Sequence, residues 1–132
     1  MTSSTSAAKD GNELVFVALG GAGEIGMNLN LFGHDGRWIM VDCGVTFEDS
    51  SQGNEIQMPD PQFIVDQVDN LVGIIATHAH MDHIGALPYL ADRFKCAIYT
   101  TAFTAQVLKT DRSPPRTGRR PTSSDRYSRT AC

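Results

Sequence analysis

The alternation of apolar and polar positions predicts three strands in the first third of the chain. An unbroken apolar run at 14–19 has the length and character of a buried strand. Residues 27–32 alternate between apolar and polar side chains, which is typical of a half-buried strand. A turn signal at 33–36 separates this segment from a third apolar run at 38–41. Because the connections are short, we expect an antiparallel meander.

The rest of the hydrophobic pattern predicts helices that follow strands. Residues 46–61 are polar and rich in turn formers, so we expect a long loop there. The elements predicted after this loop are a short helix at 63–71, a buried strand at 71–76, an amphipathic helix at 87–94, a short strand at 97–100 and a helix at 101–108 that Thr101 caps. Helices that follow strands in this way indicate an α/β layered fold.

The charge of the chain changes abruptly near Asp111. The 132 residues carry a formal net charge of −4. Residues 1–111 contain five basic and 14 acidic side chains, whereas residues 112–132 contain six arginines and one aspartate. The last segment has too few apolar residues to offset its ordering entropy, so we expect it to be disordered. It is either a basic nucleic-acid tail or the product of a changed reading frame.

We therefore divide the chain into a flexible N-terminal tail at 1–12, a folded part at 13–111 and a disordered Arg/Ser/Pro-rich tail at 112–132. No apolar run is long enough to cross a membrane, and the N-terminus lacks the apolar region of a secretory signal. The three cysteines are odd in number and widely spaced, which argues against a disulfide framework and favours the cytoplasm.

The glycine-rich segment at 20–26 predicts a tight turn. Its Gly21-x-Gly23-x-x-Gly26 spacing matches the dinucleotide-binding fingerprint. However, the alternating segment that follows leaves no room for the helical crossover that a parallel βαβ unit needs. We therefore expect a turn between antiparallel strands. An alternative is that the turn borders an active site and positions a phosphate through its backbone N–H groups.

The strongest chemical signal is a cluster of histidines after the predicted strand at 71–76. The cluster consists of His78, His80, Asp82 and His83. Imidazoles and a carboxylate that leave a strand together are typical ligands of zinc, with manganese less favoured. Two metal ions held by such a set clamp an attacking water and a phosphoryl oxygen. The alternative is a set of surface or helix-capping histidines without a metal.

Three further residues near the predicted strand ends have other roles. Asp42 ends the third predicted strand, and we expect it to orient the histidine segment from behind rather than to bind metal. The alternative for Asp42 is an ordinary turn-forming aspartate. We expect Cys43 to be a small buried residue and His34 to be exposed in a turn.

Four motifs, of which the last two overlap, resemble one known family. They are LGGAGEIGMN at 19–28, VDCG at 41–44, HAHMDHIGA at 78–86 and HIGALPYL at 83–90. The third motif is similar to the HxHxDH signature of the metallo-β-lactamase superfamily. Together the motifs resemble the N-terminal part of the bacterial ribonuclease J family, in the β-CASP branch of that superfamily. The resemblance covers about residues 13–111.

The resemblance implies an αββα sandwich, of which this chain contains the N-terminal half, and a cytoplasmic RNA hydrolase with 5′-to-3′ exonuclease and endonuclease activity. Complete members form homodimers or tetramers. The resemblance assigns His78 and His80 to one zinc ion and Asp82 and His83 to another, with Mn²⁺ or Mg²⁺ as alternatives. It also makes Asp82 the candidate catalytic residue. The residues that bind substrate stay unknown.

The resemblance also implies that the chain is a truncated or frameshifted fragment with an incomplete site. The family's site needs a later histidine and a bridging aspartate, but no histidine follows His83. Asp92, Asp111 and Asp125 are not convincing bridges. We expect weak metal binding, one apolar sheet face without a partner, and poor solubility. Two alternatives stay open, namely another hydrolase of the same superfamily and a non-catalytic RNA-binding fragment.

Overall fold

A mixed sheet with helices on one side forms the body of the protein. The structure is a computed structural model that describes residues 12–51, 53–110 and 127–129. The elements are, in chain order, β1 (Leu14–Gly20), β2 (Leu29–His34), β3 (Arg37–Val41), β4 (Thr46–Ser50), β5 (Gly53–Gln57), α1 (Gln62–Val65), a 3-10 turn at Val68–Asn70, β6 (Leu71–Ala76), α2 (Met81–Ile84), α3 (Leu87–Phe94), β7 (Ile98–Thr100), α4 (Ala102–Thr110) and β8 (Tyr127–Arg129). This mixed α/β architecture confirms the predicted fold class.

The main sheet changes from antiparallel to parallel at β3. Its strand order is β1-β2-β3-β6-β7-β8, and the first three strands form the predicted antiparallel meander. From β3 onward the neighbouring strands are parallel, so Val41 at the end of β3 pairs with Ile75 near the end of β6. The C-terminal ends of β3 and β6 therefore meet at one edge of the sheet, where the segments that follow both strands come together.

Helices and loops cover one face of this sheet and enclose the core. The buried apolar residues of this core include Leu31, Met40, Ile74 and Ile98 from the strands and Ile64, Leu87, Phe94 and Leu108 from the helices. Helix α3 supplies an apolar face with Pro88 in its first turn, as predicted. Thr101 accepts a hydrogen bond from the backbone N–H of Thr104 (3.3 Å), which confirms the predicted cap of α4.

The opposite face of the sheet is exposed and apolar. We call it the open face, and it consists of Phe16, Phe32, Ile39, Ile75 and Tyr99. Phe16 pairs with Phe32 across β1 and β2, and their ring centroids lie 5.2 Å apart. Ile39 pairs with Phe32 on the next strand, and Ile75 pairs with Tyr99 on β6 and β7. Within the described part of the chain, this face has the exposed apolar surface that the sequence predicted.

Two predicted elements differ from the structure. The loop predicted at 46–61 is wrong, because 46–57 forms the antiparallel hairpin β4–β5. Its two large apolar residues, Phe47 and Ile56, are both exposed, so the alternation of apolar and polar positions in the sequence is weak. The helix predicted at 63–71 ends at Val65. Gln67 ends it, since its side chain donates to the carbonyl of Phe63 (3.2 Å) and accepts from the indole N–H of Trp38 (2.8 Å).

Several other predictions concern the turn and the chain ends. The glycine-rich turn joins antiparallel β1 and β2, which confirms a turn rather than a dinucleotide-binding crossover. Residues 1–11, 111–126 and 130–132 lie outside the described residues, so the predicted tails stay predictions. The backbone of 127–129, within the predicted C-terminal tail, runs parallel to β7 as β8. Across the described ranges, no helix has the length and apolar character needed to span a membrane.

Candidate functional site

The predicted histidine cluster lies where β6 ends and α2 begins. We call residues 77–83 the histidine loop. Thr77 follows the last residue of β6, and the backbone of His80 is still extended (φ −80°, ψ 143°). The chain then turns into α2, and the N–H of Ile84 donates to the carbonyl of His80 (3.0 Å). This change from extended to helical backbone brings together side chains that a single strand or helix would separate.

The three histidine rings of this loop lie side by side. The ring centroids of His78 and His80 are 4.6 Å apart, and those of His78 and His83 are 4.1 Å apart. Asp82 joins them, with Oδ2 located 3.4 Å from Nε2 of His83. His78 and His80 are exposed, whereas Asp82 and His83 are half-buried. The structure therefore brings together all four residues that the sequence selected as candidate metal ligands.

Asp42 lies behind this cluster and contacts it directly. Its side chain is 6% exposed, and Oδ2 lies 2.8 Å from Nδ1 of His83. An ionised carboxylate only accepts hydrogen bonds, so Nδ1–H of His83 is the donor. In the neutral ring the lone pair is then on Nε2 of His83, the nitrogen that lies 3.4 Å from Oδ2 of Asp82. A carboxylate on the far nitrogen is how proteins commonly hold a metal-binding histidine in one tautomer.

Thr77 extends this network to a second histidine. Its backbone N–H donates to Oδ1 of Asp42 (2.8 Å), and its hydroxyl contacts both carboxylate oxygens (3.0 and 2.9 Å). The hydroxyl donates its single proton in the hydrogen bond to Asp42. The hydroxyl oxygen of Thr77 therefore accepts from Nδ1–H of His78 at 2.9 Å. Asp42 thus orients His83 directly and His78 through Thr77. Thr77 is not among the site residues predicted from the sequence, where its only signal is a hydroxyl residue between a buried strand and the first histidine.

Backbone hydrogen bonds fix the histidine loop against the segment that follows β3. Cys43 and Val45 donate from their N–H groups to the carbonyls of His83 (2.8 Å) and Met81 (3.0 Å). The carbonyl of Asp82 accepts from both the backbone N–H (3.1 Å) and the side-chain amide (3.0 Å) of Asn28. These bonds connect three segments that are far apart in sequence, and they hold the loop in one position.

Gly44 allows this close contact. A Cβ atom at Gly44 would lie 1.7 Å from the carbonyl oxygen of Asp82. Asp42, two residues earlier, has a positive φ of 63°, a left-handed conformation that aspartate tolerates better than most residues. The Asp-Cys-Gly sequence therefore combines a sharp backbone turn with a position that has no side chain.

Cys43 is fully buried between these two residues, as predicted. Burial raises the pKa of its thiol to about 12, and the nearby carboxylate of Asp42 adds to the rise. A thiol with this pKa stays protonated at neutral pH and is a poor metal ligand. Its place is in the core, beneath the histidine loop.

The geometry of the histidine loop agrees with a comparison to protein families. Residues 25–128 match the family described as "Metallo-beta-lactamase superfamily". The chain belongs to the metallo-beta-lactamase superfamily. The match includes the whole histidine loop, Asp42 and Gly44, so this superfamily explains why three histidines and an aspartate lie together at the end of a strand.

Similar curated proteins narrow the relationship. The chain is 50% identical over 107 residues to a protein named Ribonuclease J from Sinorhizobium meliloti, covering 76% of this chain and 19% of that protein. It is 47% identical over 74 residues to Ribonuclease J from Mycolicibacterium smegmatis (55% and 13%). It is 38% identical over 99 residues to Ribonuclease J 1 from Streptococcus pyogenes (74% and 18%). The chain therefore spans at most about a fifth of the length of these curated relatives.

Membership in the metallo-beta-lactamase superfamily implies metal ions, and the donor types at the site fit them. Imidazole nitrogens and a carboxylate oxygen are ligands of zinc and related ions. The held Nδ1 atoms of His78 and His83 leave the Nε2 atoms as donors. Among the residues that the structure describes, no three His, Cys, Asp or Glu side chains surround one point. The described part of the chain therefore supplies suitable donors without completing a coordination shell.

The remaining candidates lie elsewhere. His34 is exposed at the far end of β2, since the N-terminal end of that strand is the one beside the site. Asp92 is on α3, away from the histidine loop in sequence, and Asp111 and Asp125 lie outside the described residues. In the glycine-rich turn, the N–H of Gly21 donates to the carboxylate of Glu24 (3.1 Å). That N–H group is therefore already paired within the turn.

Proposed function

We propose that this chain carries the first part of the active site of a metal-dependent ribonuclease of the ribonuclease J type. The proposed reaction is hydrolysis of RNA phosphodiesters, as a 5′-to-3′ exonuclease and an endonuclease. The observation that supports it most is the buried carboxylate of Asp42, which orients His83 directly and His78 through Thr77. A chain that only displayed surface histidines would have no need of this network.

The proposal assigns two donors to each of two metal ions. His78 and His80 would hold one ion, and Asp82 and His83 the other, with zinc as the proposed metal and Mn²⁺ or Mg²⁺ as alternatives. When bound, such a pair of ions polarises a phosphoryl oxygen and activates a water molecule for attack. Asp82 is the proposed catalytic residue because its side chain lies beside Nε2 of His83 and is partly exposed to an approaching substrate.

The other residues of the site act through these donors. Asp42 and Thr77 keep the imidazoles of His83 and His78 in the tautomer that leaves Nε2 unprotonated. Asn28 and Gly44 keep the backbone of Asp82 in place. We propose RNA as the partner, the cytoplasm as the location and a homodimer or tetramer for the complete protein.

Ribonuclease activity is favoured over another reaction of the superfamily because the relatives compared above carry the name Ribonuclease J. The 50% identity to one of them extends over 107 residues rather than over the histidine loop alone. The test uses a hybrid in which residues 13–111 replace the matching segment of the Sinorhizobium protein. We expect the hybrid to hydrolyse a 5′-monophosphorylated RNA and to lose this activity when metal is chelated.

Two matched histidine variants make this test specific. His80→Ala in the hybrid removes a proposed ligand, and we expect the rate to fall more than about a hundredfold, since removing even an indirect partner of a ligand costs about 10–100-fold. His34→Ala removes an exposed histidine at the far end of β2 and leaves the rate unchanged. A folded hybrid without activity, or equal rates in the two variants, would contradict the proposal.

The chain by itself offers a second measurement. The donors described here do not complete a coordination shell, so we expect weak zinc binding in a calorimetric titration. Stoichiometric binding below micromolar concentration would show instead that the chain contains a complete site.

A further inference from the structure

A cleft lies beside the histidine loop, on the side of the glycine-rich turn. We call it the hairpin cleft, and its volume is about 640 Å³. Ile25, Phe47 and Met81 line its apolar side, and His80 and Asp82 line the side that belongs to the candidate site. A volume of this size is within the range of small-molecule sites in proteins. Two of the proposed metal ligands thus form a wall of a cleft that they do not fill.

The apolar wall of the hairpin cleft is exposed to solvent. The side chains of Ile25 and Phe47 are 93% and 52% exposed, and Met81 is also exposed. Ile25 comes from the glycine-rich turn and Phe47 from strand β4, so two segments bring apolar groups to the same place. Single exposed apolar residues are ordinary, but a group of them next to polar site residues marks a surface for a ligand.

The two segments that form the apolar wall of the cleft are tied to each other. The hydroxyl of Thr46 donates to the carbonyl of Ile25 (3.3 Å), and the N–H of Met27 donates to the carbonyl of Val45 (3.2 Å). Gly26 allows this approach, because a Cβ atom there would lie 2.1 Å from the hydroxyl oxygen of Thr46. The position of Ile25 relative to Phe47 is therefore set before a ligand arrives, which lowers the entropy cost of binding.

The charges beside the apolar wall of the hairpin cleft disfavour one class of ligand group at that wall. Among the described residues that line it, none is a lysine or an arginine. The residues next in sequence to Ile25 and Phe47 are the acidic Glu24 and Glu48. The apolar end of the cleft therefore disfavours a phosphate group and favours an uncharged, flat, partly apolar group, and a half-exposed phenylalanine is a stacking surface for an aromatic ring.

We propose that the hairpin cleft binds a nucleobase of the RNA strand, stacked on Phe47, next to the phosphate that reaches His80 and Asp82. This proposal rests on the proposed ribonuclease function. Stacking on an aromatic side chain accepts every base, because each base has a flat π-face. The cleft therefore positions the strand without selecting its sequence. Phe47 is a substrate-binding residue in this proposal, and Ile25 covers the other side of the base.

The experiment compares two ligands that differ only in the base. Equilibrium dialysis measures the affinity of the full chain for adenosine 5′-monophosphate and for ribose 5-phosphate. A chelator is present so that no hydrolysis contributes. We expect adenosine 5′-monophosphate to bind roughly tenfold or more tightly than ribose 5-phosphate. The ring signals of Phe47 in an NMR spectrum of ¹³C-phenylalanine-labelled protein shift upfield with the nucleotide and stay unchanged with the sugar phosphate.

Three variants test the role of Phe47. Phe47→Ala weakens binding of adenosine 5′-monophosphate by roughly tenfold or more, whereas Phe47→Trp preserves it because an indole stacks as well. Phe103→Ala is the matched control, since Phe103 is a 73% exposed phenylalanine on α4 that does not line the hairpin cleft. Binding of ribose 5-phosphate is the same in all three variants. Circular dichroism checks that each variant keeps its fold.

The outcomes separate the cleft from the reaction. Equal binding of the two ligands, equal binding by Phe47→Ala and Phe103→Ala, or no nucleotide binding by the full chain overturns the nucleobase proposal. If the hybrid enzyme fails to hydrolyse RNA while nucleotide binding still depends on Phe47, the proposed function fails and the cleft assignment stands. If the hybrid is active and Phe47→Ala binds normally, the cleft assignment alone fails.

Discussion

Ile74 and Ile75 are neighbours on β6, yet they belong to two different regions of the molecule. Ile74 is 1% exposed in the core beneath the helices, and Ile75 is 41% exposed on the open face. The covered region contains the core and the histidine loop, and no buried side-chain nitrogen or oxygen among the described residues lacks a partner. On the open face the strands are paired as well, but the five side chains that define it are 38% to 56% exposed in the part of the chain that the structure describes.

The difference shows where the order of the candidate site comes from. The helices that cover the sheet lie next in sequence to the strands they pack on. Residues 42–45, which follow the adjacent strand β3, form hydrogen bonds with the histidine loop. None of these contacts uses the open face. We therefore expect a residue in the covered region to affect stability or metal binding far more than a matched residue outside it.

The largest contrast is expected between the two isoleucines themselves. Ile74→Ala leaves a cavity in the core and lowers the free energy of unfolding by about 2–5 kcal/mol. Ile75→Ala removes the same atoms from a half-exposed position and costs less than about 1 kcal/mol. Urea unfolding followed by circular dichroism measures both values. Similar losses for the two variants would mean that the open face is covered in solution.

A second contrast compares two glycines. Gly44→Ala places a methyl group against the carbonyl of Asp82, a backbone atom that cannot turn away, so we expect a loss of about 3 kcal/mol. Gly23→Ala has free space around it, and its positive φ of 75° costs about 1–2 kcal/mol. The imidazole NMR signals of the histidine loop shift in the first variant only. A normal histidine spectrum in Gly44→Ala would contradict the close contact.

A third contrast compares two aspartates that both have positive φ. Asp42→Asn keeps the backbone conformation but replaces a carboxylate oxygen with an amide donor, so it cannot accept all the bonds from Thr77 and His83. We expect zinc affinity of the hybrid enzyme to fall by about 10–100-fold. Asp35→Asn, in the exposed turn between β2 and β3 (φ 49°), leaves affinity unchanged. Equal affinities in a competition assay with a zinc chelator would refute the role of Asp42.

The smallest contrast concerns pH and Cys43. The pKa of this thiol rises from the ordinary 9.0 to about 12, first through burial and then through Asp42. The folded state therefore holds its proton more tightly than the unfolded state. The resulting stability is present below pH 9 and is lost between pH 9 and pH 12, by about 1.4 kcal/mol for each pH unit.

The prediction for Cys43 is tested by the difference in unfolding free energy between wild type and a variant, measured as a function of pH. The stability advantage of the wild type over Cys43→Ala shrinks between pH 8 and pH 10 in urea unfolding. Cys96 is only half-buried, so the corresponding difference for Cys96→Ala changes less. An advantage of Cys43 that stays constant over this range would mean that the thiol is not protected from ionisation.

Most strands were predictable because their apolar runs are continuous or alternate clearly. The β4–β5 hairpin was not, since Phe47 and Ile56 are its only large apolar side chains and both are exposed. The early end of α1 depends on Gln67, whose partner Trp38 is far away in sequence. Local periodicity contains no information about such a contact.

The candidate ligands were predictable for a similar reason, because His78, His80, Asp82 and His83 are close in sequence. The contact of Asp42 with His83 was a reasonable hypothesis, since both follow strands. Thr77 was not found, because its role depends on lying between Asp42 and His78 in space. The roles of all these residues in catalysis stay predictions.

The closeness of Gly44 to the backbone of Asp82 also limits how this gene can vary. Any other amino acid puts a carbon atom where the carbonyl of Asp82 already lies. In the genetic code, glycine is kept by any change at the third base of its codon and lost by any change at the first two. The first two bases of the Gly44 codon therefore have to stay unchanged for the site to form. The residue that they encode has no side chain, so it does not stand out among the functional groups of the site.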